Sequence, residues 1–523
     1  MDRITPVMVK NIIQKLSNNK NDSFFNWKSD ALKYGVDSLS LPLCDLLKAL
    51  ITHGHIPKVF LVCSLVPLVK NNNESKMLSS NYRLIAITSL LLKLFDHILL
   101  EVCNPMLIPS NLQYGFQKGR STDMCTWTLT ETVNYFRNRG SPIFMCLMDL
   151  TKAFDKVKLS ILFKKLSGKV PPILIRFLIF SYVNQDCQIL WSGVKSDNFK
   201  ASNGVRQGSV ASPVLFNLYI DELFQILSSS GYGCTIDQLY FGVTGYADDL
   251  SLIAPCREAL QRMVIICEDF FNRHGIVIST NSDIKKTKTK VLTFGLESQP
   301  ADIMLGKKPL PCVNMWPHLG HLLCADESSV HDLEEKKRTL IGKIHSLRQE
   351  LSDQDPAVYL KLIRTYLLHM YGGTLWDIFS DEAVQLWSTW HTTIKSLFNL
   401  PPATHRFLLN HLMTFDHIKK LLIKRFIKFS VSIQNSSNPQ MRLLHNVQSR
   451  DWRSTYGRNY MNILHEAQVT SLEMVEMVNI VVNPVPPGEE WKINFLHDML
   501  AERDSDFLTP QQLQDCIDEV CTS

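Results

Sequence analysis

Two hydrophobic periods alternate along this chain, and the switches between them outline its elements. Val7, Ile12, Ile13 and Leu16 recur at helical spacing, and Leu41 to Ile51 predicts a second helix closed by His53-Gly54. Leu61 to Val69 reads as an apolar strand broken by Pro67, with a turn at Asn71 to Asn73 behind it. The most apolar stretch, Leu84 to Val102, contains Lys93, Asp96 and His97. It predicts a buried helix, because a membrane span wants ~20 uninterrupted apolar residues. A helix follows over Thr122 to Phe136, capped by Ser121, and then a short strand over Ile143 to Leu147. Ser212 can cap the next helix, with Pro213 in its first turn and Val214, Leu215, Leu218, Leu223 and Phe224 on its apolar side. Further on, Ala259 to Phe271 is amphipathic and Ile276 to Ser279 is a strand. From Leu333 a long helix carries one stripe of Leu340, Ile341, Ile344, Leu347 and Leu351.

Between these lie the residues that carry chemistry. Asp248-Asp249 is flanked by apolar runs, Leu239 to Val243 and Leu250 to Ala254. That pattern predicts a β-hairpin whose tight turn holds both aspartates. Adjacent carboxylates repel, and each has its pKa raised unless a cation is shared. Mg²⁺, held by one or two carboxylates plus substrate phosphates, supplies such a cation. About a hundred residues upstream, the strand Ile143 to Leu147 runs into Asp149. A carboxylate at a strand's end beside a hairpin bearing two more is the arrangement of a two-metal site, whose ions sit roughly 3.5–4 Å apart. A solvated Asp-Asp turn is the competing reading.

Length and composition narrow the class. At 523 residues the chain can hold roughly two to four domains. Its 45% apolar and 20% charged content describe an ordinary globular protein. The net charge of +5 permits nucleic-acid binding without demanding it. Thirteen cysteines show no Cys-x-x-Cys pair, and no histidine near Cys516 and Cys521 completes a zinc set. This usage implies reduced, intracellular thiols. Met1 to Lys20 is polar and helical in pattern, so it reads as no signal peptide. The expected location is the nucleus or the cytoplasm, with no membrane partner.

Asp149-x-x-x-Ala153-Phe154-Asp155, then Arg206-Gln207-Gly208-Ser209 with Ser212-Pro213 beyond, then Tyr246-Ala247-Asp248-Asp249 resemble the ordered palm motifs of reverse transcriptases, in particular the non-LTR (LINE-type) retrotransposon enzymes. The resemblance extends over residues 56–325, is fair to residue 430 and is weak elsewhere. It implies an α+β, right-hand polymerase fold: fingers, a palm with an antiparallel sheet, a helical thumb and a helical C-terminal extension. The expected divisions are 1–135 for N-terminal helices and fingers, 136–325 for the palm with a primer-grip-like turn and room for a fingers insertion, 326–400 for the thumb and 401–523 for the extension. Asp149, Asp248 and Asp249 are the implied catalytic and metal-binding residues, for two Mg²⁺ ions or Mn²⁺. The implied reaction is attack by a primer 3′-hydroxyl on the α-phosphate of a dNTP, with pyrophosphate leaving. Asp155 is assigned to structure.

Further roles follow from the same resemblance. Lys70 and Arg83 would grip the incoming triphosphate, a task suited to several cationic donors. Relatives usually carry Pro where Leu84 stands, and a Gly-rich loop where Lys20 to Phe25 has none. Phe154 would lie under the incoming sugar and exclude a 2′-hydroxyl; plain core packing is the alternative. Gln207 and Gly208 would lie against nucleotide and template. Gln113-Tyr114-Gly115-Phe116-Gln117-Lys118-Gly119-Arg120 matches another family block, which implies template or primer contact by Gln113, Gly115, Lys118 and Arg120. Lys288, in a stretched lysine run from Asn281 to Lys290, would act as acid toward pyrophosphate or hold it. Trp316 to His321 resembles the primer-grip turn, with Gly320 at its centre.

In the second half, Lys336, Lys337, Arg338, Lys343 and Arg348 would face a duplex from the thumb helix or form an ordinary solvated side. Asn399 to Arg406 resembles a segment that follows the polymerase in LINE-type proteins. Lys419, Lys420, Lys424, Arg425 and Lys428 stud a further helix, and Pro484 to Gly488 marks a break before an acidic tail. Neither nuclease of full-length relatives is recognisable, so a separate endonuclease is an expected partner beside an RNA template, a DNA primer and dNTPs. The alternative function is a catalytically inactive, retrotransposon-derived remnant that only binds RNA. An RNA polymerase acting on RNA is a third reading, which Phe154 opposes.

Overall fold

The computed structural model describes residues 2–25, 27–281, 286–296, 302–350, 358, 361–368, 370–398, 400–412, 417–472, 486–488 and 490. The expectations placed on Ser282 to Lys285, Leu351, Asn399, Pro484-Val485 and the acidic tail with Cys516 and Cys521 lie outside them. The chain divides into two compact units. One comprises Met1–Ser121, Met145–Val291 and Ala301–Pro311; the other Thr122–Phe144, Leu292–Pro300 and Cys312–Ser523.

The first unit opens with a helix over Pro6–Lys15, capped by the Thr5 hydroxyl, which accepts from the Met8 N–H at 3.2 Å. Its buried stripe is Val9, Ile12, Ile13 and the adjoining Leu16, whereas Val7 is exposed. Residues 9, 12, 13 and 16 share one helix side, and residue 7 falls well round from it. Helix Val36–His53 ends at Gly54 in the left-handed conformation, φ +65°. The long apolar stretch after Leu84 splits in two. Its start belongs to a strand, and only from Leu90 does helix Leu90–Cys103 run, buried as expected. Ser89 makes the break by accepting from the Leu92 N–H at 3.3 Å.

Strands β1 (Val62–Val69) and β2 (Tyr82–Ile87) pair antiparallel, with Leu68 opposite Arg83. Chain order then gives β3 (Ile143–Met148), β4 (Leu150–Thr151), β5 (Asp186–Trp191), β6 (Val194–Lys195), β7 (Thr235–Ile236) and β8 (Leu239–Tyr240). They are followed by β9 (Val243–Tyr246), β10 (Asp249–Ala254), β11 (Val277–Ile278) and β12 (Lys290–Phe294). One four-stranded sheet has the order β2-β1-β5-β6, with β5 parallel to β1; a second has the order β12-β3-β10-β9. β3 is buried at every position, which explains its uninterrupted apolar sequence. Helix Ser212–Ser229 buries Leu215, Phe216, Leu218, Leu223 and Phe224. Ser212 is its first residue, not its cap, and Ala211 holds the cap position.

The second unit holds most of its described residues in helices, among them Thr122–Arg137, Val330–Glu350, Asp381–Leu397 and Ile418–Gln434. Its core is aromatic: Trp127 meets Tyr456 edge-on at 5.0 Å and Phe429 at 6.1 Å. In Val330–Glu350 the stripe residues Leu333, Leu340 and Ile344 are buried, as the spacing predicts. Arg425 donates to the carbonyls of Leu368 and Met370, so it braces this unit from within. No helix among the described residues is long and apolar enough to cross a membrane.

Candidate active site

The site starts from a two-residue turn. β9 and β10 pair antiparallel with Tyr246 opposite Asp249, which leaves Ala247 and Asp248 as the turn itself. Asp249 is therefore the first residue of the returning strand and not part of the turn. The strand before it is β9, whereas Leu239 and Tyr240 pair with Ile236 and Thr235 in a separate hairpin. Ala247 takes φ +57°, the positive value that a tight hairpin requires at one turn residue.

A non-glycine in that conformation needs support, and the segment Leu112 to Gly115 supplies it. Tyr114 N–H donates to the Gly245 carbonyl at 2.7 Å, and Gly245 N–H to the Leu112 carbonyl at 2.9 Å. Gln113 Oε1 accepts from the Ala247 N–H at 2.9 Å and the Gly115 N–H at 2.8 Å. Gln113 is fully buried, so what it touches is the back of the hairpin and not the template surface expected of it. Gly115 lies against the same turn: a Cβ there would fall 2.3 Å from Ala247 N, a distance no side chain tolerates. Arg120 is also turned inward, donating to the carbonyls of Asn111 and Gln113 at 2.9 and 2.7 Å. Of this block, Lys118 is exposed and free to meet a polyanion.

Asp149 follows β3 directly and is pinned through its own backbone. Its N–H donates to the Thr289 hydroxyl at 3.4 Å, and its carbonyl accepts from Ser279 N–H at 2.8 Å. β3 neighbours β10 in the sheet, so the end of one strand and the start of the other carry the acidic residues. Burial, and then the charge of Asp149, push the Asp248 carboxyl up, against the opposing pull of Arg83. Burial, then Asp248, then Asp149 push Asp249 up to about 7, with Lys288 opposing. The cations are gathered too: burial first, then repulsion by Lys152, Arg83 and Lys288, holds the Lys70 ammonium below its usual value. The structure thus brings Asp149, Asp248, Asp249, Lys70, Arg83 and Lys288 into one electrostatic neighbourhood.

The other predicted residues fall around this neighbourhood. Arg83 is exposed on β2, and Lys70 follows β1 with Nζ 3.2 Å from the Ser80 carbonyl. Gln207 accepts through its carbonyl from Ala86 N–H, and Gly208, at φ +106°, leaves only 3.1 Å between a would-be Cβ and Ile85. Phe154 is half-buried and stacks on Phe216 at 4.5 Å and 19°. Gly320 lies in the second unit, in the β-turn between strands Met315–His318 and His321–Cys324, with φ +79°. Tyr371 holds that turn by donating to the Leu319 carbonyl at 2.6 Å.

Sequence reasoning missed two supports. Thr289 stands inside the lysine run from Asn281 to Lys290, yet the run assigns it no role, since only folding brings it to Asp149. Arg206 stood inside a recognised motif, yet it is buried. It donates to Gln185 Oε1 and to the Ser181 carbonyl at 2.9 and 2.7 Å, and it lies 4.0 Å over the Tyr182 ring. Its loop partner Ser209 donates to the buried Asp96 carboxylate.

Carboxylate oxygens are hard donors that suit Mg²⁺ or Mn²⁺, and burial comes first among the causes that raise Asp248 and Asp249. Among the described residues no three His, Cys, Asp or Glu side chains are drawn tightly enough to form a ready-made cage.

Comparison with known proteins finds similarity over part of the chain. Residues 69–310 match the family described as reverse transcriptase (RNA-dependent DNA polymerase). The chain is 27% identical over 224 residues to the Retrovirus-related Pol polyprotein from type-2 retrotransposable element R2DM of Drosophila melanogaster, covering 42% of this chain and 20% of that protein. It is 25% identical over 234 residues to the Pol polyprotein from type-1 retrotransposable element R2 of Nasonia vitripennis, covering 44% and 22%. The chain thus spans about a fifth of the length of these two relatives. Among solved structures, telomerase from Candida albicans aligns over 83% of this chain and 68% of that one, at 12% identity and a TM-score of 0.37. Residues 69–310 are thus similar to the reverse transcriptase family, and non-LTR retrotransposon Pol proteins are among the chain's relatives.

Proposed function

We propose that the protein is an RNA-directed DNA polymerase that extends a DNA primer on an RNA template from dNTPs. One observation carries the reading: Asp248 and Asp249 on one hairpin and Asp149 after the neighbouring strand share a site in which burial and then neighbouring carboxylate charge raise Asp248 and Asp249, with Arg83 and Lys288 as the opposing charges. Asp149, Asp248 and Asp249 would hold two Mg²⁺ ions, or Mn²⁺, which when bound neutralise the charge that builds up in phosphoryl transfer. Arg83, Lys70 and Lys288 bind the triphosphate and steady the departing pyrophosphate. Phe154, backed by Phe216, fills the space under the sugar where a 2′-hydroxyl would sit. Gly208 lets the backbone pass close to nucleotide and template, and Lys118 meets a template phosphate. In this reading the β2-β1-β5-β6 sheet belongs to the fingers, the β12-β3-β10-β9 sheet to the palm, Val330–Glu350 to the thumb, and Gly320 to the primer grip.

The test is primer extension by the purified chain with a primed RNA template, dNTPs and Mg²⁺. The unmutated protein extends the primer, and Asp248→Asn and Asp149→Asn lose synthesis while keeping salt-sensitive RNA binding. RNA binding without any extension by the unmutated protein would instead identify the silent, RNA-binding remnant, a reading favoured by exposed Leu84 in place of the family's Pro.

A further inference from the structure

The segment Lys20 to Lys28 contains no glycine, and backbone hydrogen bonds close it on itself. Asn21 bridges Lys28, Ser29 N–H donates to the Lys20 carbonyl and Asp22 N–H to the Trp27 carbonyl, both at 2.8 Å, so the loop is a closed hairpin. Its pin is the Asp22 side chain, itself buried. One oxygen accepts from the N–H groups of Phe24 and Phe25 at 2.9 and 2.8 Å; the other accepts from Leu90 N–H at 2.8 Å, tying the loop to the start of helix Leu90–Cys103. Lys93 of that helix adds a second tie through the Asn21 carbonyl at 2.6 Å.

This bracing serves an outward display. Trp27 is 60% exposed, Phe24 49% and Phe25 37%. Phe25 stacks on Trp27 at 5.2 Å and 28°, meets Phe24 edge-on at 5.0 Å, and leans on Phe60. Exposed Lys20, Lys28 and Lys58 stand at the loop and beside Phe60, while Asp22 is buried within it. Aromatic faces fixed in place among lysines match the two features of unpaired nucleic acid, stackable bases and a phosphate chain. The geometry points to a binding surface for single-stranded RNA on Phe24, Phe25 and Trp27, with Lys20 and Lys28 on the phosphates. The surface lies beside Phe60, whereas Lys70 of the candidate active site follows the far end of β1. It therefore engages RNA that is not yet paired, and its occupancy does not depend on catalysis.

The experiment compares unmutated protein, Phe24→Ala/Trp27→Ala, Phe24→Tyr/Trp27→Phe and Lys20→Ala/Lys28→Ala. It reads fluorescence anisotropy with a labelled oligouridine and with an RNA duplex, over a salt series, alongside size-exclusion chromatography and primer extension. The alanine pair is expected to weaken oligouridine binding at least about tenfold, the scale of lost base stacking, and to leave the duplex affinity unchanged. The aromatic-for-aromatic pair restores binding, which separates stacking from folding. The lysine pair lowers the salt dependence. Equal loss for oligouridine and duplex, or undiminished oligouridine binding by the alanine pair, overturns the proposal. So does a concentration-dependent dimer of the unmutated chain that the alanine pair abolishes, since the occupant is then a second copy. Failure of primer extension with these binding differences intact would count against the polymerase reading alone.

Discussion

Gln113 Oε1 accepts a hydrogen bond from the backbone N–H of Ala247, a residue 134 positions away, at 2.9 Å. The same oxygen accepts from Gly115 N–H, so one buried amide couples the Leu112 to Gly115 segment to the turn that presents Asp248. Replacing Gln113 by Leu leaves two buried N–H groups without partners, each costing about 1–3 kcal/mol. Urea unfolding of Gln113→Leu is expected to show a loss of that order, and an unchanged midpoint would remove the amide from its assigned place.

Gly115→Ala tests the same contact by steric means. The new Cβ meets the backbone of Ala247 and Tyr246, at 2.3 and 2.9 Å, and neither atom can swing aside as a side chain would. The hairpin must shift, and a displacement of about 1 Å at a reacting centre costs on the order of 10²-fold in rate. Extension should fall by that factor in a protein whose far-ultraviolet circular dichroism is unaltered; retained activity would mean the turn is more adaptable than its packing implies.

Arg206 predicts a stability effect at a motif position. Its guanidinium is buried and spends its donors on Gln185 and Ser181. Its positive charge also opposes the burial that raises the Asp96 carboxyl. Arg206→Met is expected to destabilise the chain by about 3–5 kcal/mol, as removal of one partner from a buried charged set does. A loss below about 1 kcal/mol would show that the set relaxes without it.

Phe154→Val removes the ring stacked on Phe216 and opens space beneath the nucleotide sugar. On the proposed reading, incorporation of rNTPs relative to dNTPs rises by at least about tenfold, the scale of one steric contact. Parallel extension assays with each nucleotide set measure the ratio, and an unchanged ratio would reduce Phe154 to core packing.

Glu131, on helix Thr122–Arg137, is buried, and burial pushes its carboxyl from 4.5 up to about 7 despite hydrogen bonds from Asn134 and Gln448. The folded state therefore holds a proton that the unfolded chain releases. This favours folding at acid pH, and that contribution is lost as pH rises between 4.5 and 7. Glu131→Gln keeps the neutral form, and Gln448 Oε1, buried without a partner, can accept from it once that amide flips. Thermal unfolding should find the variant more stable than the unmutated protein at pH 8 and equal to it at pH 4; the opposite order at pH 8 would contradict the assignment.

What the sequence determined by itself was local and ordered. Asp149, Asp248 and Asp249 could be singled out because apolar runs bracket them, and Val9, Ile12, Ile13 and Leu16 could be placed by period because a helix repeats within a few residues. Tertiary structure decided which polar residues serve the site and which serve the scaffold. Gln113, Arg120 and Arg206 look alike in sequence, as polar residues inside motifs, yet each turns inward to satisfy backbone or side-chain groups made buried by distant segments. Thr289 gains its place beside Asp149 across 140 positions. A periodic pattern reports which side of an element is buried; it carries no record of which donor on another element will meet which acceptor, because that pairing exists only once the chain has closed.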